Sequence, residues 1–168
     1  MSIVSRAFRP VASGIHSLLG WIGGVATFVA PPVLRAALAI PFLKSGLTKW
    51  SGFLSLSPVA PYMFEEMFKI HLFGHAYSFP APDITAYIDA VAEIVLPALL
   101  ILGLATRFSA LGLLIMTAVI QLTVPAGWAN FHLPWAALAV GIMALGPGAL
   151  SLDWLLARCG KRLDWMRK

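Results

Sequence analysis

The chain has 168 residues, of which 60% are hydrophobic and 11% charged, against about 25% charged in ordinary soluble domains. With a mean hydropathy of +0.85 it reads as an integral membrane protein and not as a water-soluble domain. The net charge of +5 does not point to nucleic acid, because the basic residues flank apolar runs, and the single cysteine, Cys159, excludes an internal dithiol and a cysteine-built metal cage.

In chain order, Met1 to Arg9 is basic and leads into an apolar stretch, as a leader would. That stretch closes as TFVAPP, with Phe28 where cleavage wants a small residue, so the segment is expected to be retained. Gly14 to Ala30 is about 17 residues long, the lower limit for a span. Pro31-Pro32 is expected to stop it, and residues 1–32 read as an extension with a helix lying in the membrane interface. Val33 to about Phe53 is the first span, opening with Arg35 and carrying Lys44 and Lys49. A long connection, Ser51 to Pro82, follows. Within it Met63, Phe64, Met67, Phe68 and Leu72 are spaced to share one face of a short amphipathic surface helix, Tyr62 to Leu72.

The second span is Ile84 to Leu104, the third Arg107 to about Val124, and the fourth about Leu133 to Leu145. Gly146-Pro147-Gly148 stops the fourth, and Ser151 is an N-cap for a terminal helix, Leu152 to Leu163. The expected fold is all-α: a four-helix transmembrane bundle over residues 33–156, with the N-terminal interfacial helix, short amphipathic helices and a basic tail at 157–168. Both termini are placed in the cytoplasm. Arg6, Arg9, Arg35, Arg107, Arg158 and the basic tail then lie inside, leaving Lys44, Lys49 and Lys69 elsewhere.

The second span carries two carboxylates, Asp89 and Glu93, one helical turn apart. A charge at mid-membrane costs at least a few kcal/mol, so each needs a partner, a wet cavity or a task. With Arg35 and Arg107 at the inner boundary, a rise of about 1.5 Å per residue puts Lys49, Glu93 and Gln121 all about 21 Å above it. Asp89 falls about 6 Å further out and Lys44 about 7 Å further in. Asn130, His132 and Trp135 sit at the outer mouth, with His132 the expected neighbour of Asp89. The expected site is therefore an outward-facing polar pocket. Glu93, Asp89 and Lys49 are its chemical groups, and Lys44, Gln121, His132 and Trp135 its binding groups. The competing reading is that Lys49 and Glu93 only neutralise one another and fix helix packing.

His71 and His75 have the i, i+4 spacing of two imidazoles on one helix face and are weaker metal candidates, with Gly74 interrupting the helix between them. Trp21, Trp50, Trp128 and Trp135 include interface anchors.

Taken together, the motifs resemble the DoxX family of small four-helix bacterial membrane proteins. The resemblance rests on Arg35, then Gly46 and Lys49, then Glu93, the turn Gly103-Leu104-Ala105-Thr106-Arg107, and the closing run Gly146 to Asp153. It implies a bundle in the bacterial inner membrane, and some relatives are subunits of a thiosulfate:quinone oxidoreductase. On that basis a quinone-linked redox subunit is the leading expectation. Lys49 and Gln121 would donate to a quinone oxygen, and Glu93 or Asp89 would pass the proton. A partner subunit or a homo-oligomer is expected, since no electron donor is visible in the chain. A non-enzymatic scaffold and metal or small-ion handling stand as alternatives, and the identity of any cofactor stays open.

Overall fold

The computed structural model describes the backbone of residues 3–166 and the side chains of residues 14–159. The basic side chains expected at Arg6, Arg9, Lys161, Arg162, Arg167 and Lys168 lie outside the described residues.

Helix α1 runs unbroken from Ile3 to Thr48. At about 1.5 Å per residue it is roughly 69 Å long, more than twice the hydrocarbon core of a bilayer. The stop expected at Pro31-Pro32 does not occur. Proline is tolerated in a span when packing holds the backbone in place. Here Pro31 is buried beneath Gly148, where an added Cβ would come within 2.5 Å of the Pro31 ring. Upstream of that contact every residue from Gly14 to Val29 is exposed.

The connection after α1 is more ordered and less helical than expected. Strands β1 (Trp50–Gly52) and β2 (Ser55–Leu56) form a small antiparallel pair. One turn of helix, α2 (Val59–Tyr62), continues into a π-helical turn, Met63–Met67. The helix expected to reach Leu72 therefore ends at Met67. Strands β3 (Lys69–Leu72) and β4 (His75–Ser78) then form a hairpin, with Leu72 opposite His75. Its turn is Phe73-Gly74, with φ of 49° and 81°, the positive values a two-residue hairpin turn requires. His71 and His75 consequently sit on two strands and not on one helix face.

Helix α3 (Pro82–Leu102) ends at Gly103, whose φ of 68° allows a Schellman closure. In that closure the Leu104 N–H donates to Leu99 O at 2.9 Å and the Gly103 N–H to Leu100 O at 3.1 Å. Helix α4 (Thr106–Thr123) follows, then a 3-10 turn, Pro125–Gly127, and a π-helical turn, Trp128–His132. These lead into α5 (Leu133–Leu145) and, after the glycine-proline stop, α6 (Leu152–Met166). As expected, Ser151 caps α6: its Oγ accepts the Trp154 N–H at 3.2 Å.

The four long helices close a ring: α1 packs on α3, α3 on α4, α4 on α5, and α5 back on α1. Leu38, Ala39 and Phe42 of α1 meet Leu100, Ala110, Leu113, Ala139 and Ile142 at its centre. Gly14–Thr48, Pro82–Leu102, Thr106–Thr123 and Pro125–Leu145 are each long and apolar enough to cross a membrane. The molecule is thus an all-α membrane bundle whose outer helix faces contact lipid, with two small hairpins at one end.

Asp153 ties the other end together. Its carboxylate accepts the backbone N–H groups of Ala105 and Thr106 at 2.8 and 2.9 Å and the Thr106 hydroxyl at 2.7 Å. It thereby satisfies orphan donors at the start of α4. Beside it, the buried Arg35 donates from Nη2 to Leu150 O at 2.5 Å.

Candidate functional site

The site begins with a glycine. At Gly46 an added Cβ would lie 2.8 Å from Glu93 Cβ and 3.0 Å from the Glu93 carbonyl group. Only a residue without a side chain lets α1 and α3 approach this closely. Three residues on, Lys49 follows directly after the end of α1: its backbone N–H donates to Gly46 O at 3.1 Å, and its carbonyl accepts the Ser57 N–H at 2.8 Å. From there its ammonium reaches both carboxylates of α3. Nζ is paired with Asp89 Oδ2 and lies 2.7 Å from Glu93 Oε2. The Glu93 side chain is 4% exposed and Asp89 22%, so the pair presents one shielded and one accessible carboxylate.

These groups open onto a cavity of about 500 Å³. Ser45 and Phe42 of α1, Val119, Ile120 and Thr123 of α4, and Trp135 of α5 form its walls. The connection supplies a roof of Phe64, Phe68 and Phe79, with Phe64 edge-to-face against both other rings at 5.4 and 5.2 Å between centroids. Phe64 is buried, and its ring lies 5.9 Å from the Lys49 ammonium, which gains a cation–π contact there. Trp135 closes the far wall, 5.0 Å from the Phe42 ring. The result is an aromatic chamber with one charged corner.

That corner is unbalanced. One ammonium faces two carboxylates, so with all three ionised it carries a formal charge of −1. In a low-dielectric setting such an excess is costly, and a bound proton or a proton-donating ligand relieves it. The arrangement can donate a hydrogen bond from Lys49 and accept or release a proton at a carboxylate, side by side.

The other expected site residues divide. Trp135 lines the cavity. Gln121 and His132 are brought together, but with one another and away from the lining: His132 Nδ1 lies 2.6 Å from Gln121 Oε1. Gln121 Nε2 donates to Pro125 O at 3.3 Å, which turns the amide oxygen toward the His132 ring. His132 is buried, its ring 5.6 Å from Trp135, and it leaves room only for a glycine at position 127. Lys44 is exposed on another side of α1 and makes no ion pair among the described residues. His71 Nδ1 lies 3.2 Å from Leu122 O, docking the β3–β4 hairpin on α4. Among the described residues no group of three or more His, Cys, Asp or Glu side chains is placed to hold a metal ion. The aromatic roof was not foreseen. The sequence reading puts Phe64 and Phe68 on one face of a short amphipathic surface helix, and the signal for the roof is the aromatic interleaving of MFEEMF in the connection that follows the lysine-bearing span.

Comparison with known proteins agrees with the motif resemblance. A family model described as DoxX matches residues 30–126, which include Gly46, Lys49, Asp89 and Glu93. A relative from Haemophilus influenzae, described as an uncharacterized protein, is 30% identical over 155 residues, covering 86% of this chain and 94% of its own length. No solved structure matches.

Proposed function

The chain belongs to the DoxX family of membrane proteins, and from that premise we propose that it is the membrane subunit of a quinone-linked redox system, with the aromatic chamber receiving the quinone head group. The observation that carries this reading is the ammonium set between two carboxylates at the wall of an aromatic-lined cavity. Lys49 donates to a quinone oxygen. Asp89, the more exposed carboxylate, exchanges protons with the surroundings, and Glu93 holds the ammonium in place. Phe64, Phe79 and Trp135 stack against the ring and exclude water. Quinone reduction consumes two electrons and two protons; the chain supplies the proton path, and a partner protein supplies the electrons. Gln121 does not serve as a quinone ligand in this reading, since both ends of its amide are engaged. The site belongs in the outer half of the bacterial inner membrane, with both termini cytoplasmic.

The test is a fluorescence titration of the purified protein with a short-chain benzoquinone. Saturable quenching that disappears in Trp135→Phe, and weakens at least about tenfold in Lys49→Met, is expected. Quenching that never saturates overturns the proposal. A scaffold reading draws on a different observation, the exposed apolar stretch of α1 from Gly14 to Val29, which is available to a partner helix. It predicts that replacing Lys49 and Glu93 together by Met and Leu leaves function intact in cells.

A further inference from the structure

A second cavity, of about 240 Å³, lies on the other side of the Phe64–Phe79 pair, between α3 and α4. Phe64, Phe79, Asp89, Val119 and Ile120 line both spaces, so the two meet along a common boundary. Their chemistry differs. The first holds Lys49 and Glu93, whereas the second is bounded chiefly by Ile88, Ala92, Ile115 and Met116 and has Asp89 as its charged group. Ile88 is 63% exposed and Ile115 58% exposed, on faces of spanning helices that look away from the bundle centre. In a bilayer those faces meet acyl chains. The second cavity is therefore an apolar groove leading from the lipid phase to the charged corner.

We propose that this groove holds the apolar chain of the ligand whose head occupies the chamber, and that the ligand enters sideways from the bilayer between α3 and α4. This rests on the function proposed above and narrows it: the substrate is a membrane-dissolved, chain-bearing quinone and not a water-soluble one. Phe64 and Phe79, edge-to-face at 5.2 Å, form the threshold where head gives way to chain. The groove adds little affinity, because a chain leaving lipid for an apolar groove gains no hydrophobic energy. Its role is steric: it provides a route for a molecule that cannot leave the membrane.

Ala92 and Ile115 line the groove and not the chamber, so they can be enlarged separately. The full-length protein in lipid nanodiscs is titrated with two probes, a benzoquinone without a chain and the same head on a long isoprenoid chain. Wild type is expected to bind both. Ala92→Phe and, independently, Ile115→Trp are expected to weaken the long-chain probe at least about tenfold, and the chainless probe less than about twofold. Retained chainless binding serves as the folding control. Unchanged binding of the long-chain probe in both variants overturns the groove while leaving the chamber reading intact. So does a wild-type protein that takes only the chainless probe, as when a bilayer lipid fills the groove. Equal loss of both probes in both variants also overturns it, because the groove residues would then belong to the head site. Failure of wild type to bind either probe removes the chamber reading and this one with it.

Discussion

Lys49 serves two carboxylates at once, and this fixes how substitutions at the corner should behave. Lys49→Met leaves Asp89 and Glu93 one turn apart and uncompensated, with Glu93 buried. Breaking a buried ion pair by removing one partner costs about 3–5 kcal/mol. Glu93→Gln instead leaves one ammonium against one carboxylate and keeps a group of nearly the same shape, so its cost should stay below about 1.5 kcal/mol. Thermal melts of the two variants in detergent check the difference, and equal destabilisation would contradict the unbalanced corner. These three residues were legible in the sequence because charges inside an apolar span are rare and need an explanation. Gln121 was placed at the same height, yet it faces His132 and not the cavity. A rise count gives depth along an axis and leaves the angle around it open; on α4 it is Val119, Ile120 and Thr123 that look inward.

Helix α4 starts without a side-chain cap of its own, and the cap arrives from 47 residues away. Burial acts to raise the Asp153 pKa, but the hydrogen bonds from Thr106 and Ala105 and the nearby Arg35 outweigh it, holding the carboxyl below the ordinary range. A carboxylate with a depressed folded-state pKa stabilises fully above its unfolded value, near 3.9, and loses that contribution as pH falls through the folded value. Asp153→Asn should therefore lower stability by about 1 kcal/mol at neutral pH, the usual worth of a cap. The gap from wild type should close in melts taken progressively below about pH 4, and a gap constant with pH would contradict the carboxylate's role. Element boundaries were legible where chemistry is local, as at Ser151 and Gly103. They were not legible where packing decides. Pro31-Pro32 is a stop by local rules, yet Gly148 covers Pro31 and the helix continues. The β3–β4 hairpin was hidden because its turn places Phe73, not asparagine or aspartate, in the left-handed region.

At the scale of the molecule, the four spans and their order followed from hydropathy and flanking charge, and the DoxX resemblance from the spacing of small motifs. The chamber did not follow, because its roof comes from the connection and its walls from all four long helices. No single stretch of sequence encodes such a space; it exists only once α1 and α3 meet at Gly46 and the connection folds back over Lys49. Both hairpins and the aromatic roof then lie at the same end as the charged corner, while the Asp153 clasp holds the opposite end shut. In the proposed function the chamber is a head-group site. Crystals of the protein soaked with a brominated short-chain benzoquinone test it most directly. An anomalous bromine peak is expected inside the chamber, between Lys49, Phe64 and Trp135, and it should vanish when unbrominated quinone competes. A peak confined to the lipid-facing surface, or none in the chamber at saturating ligand, would contradict it.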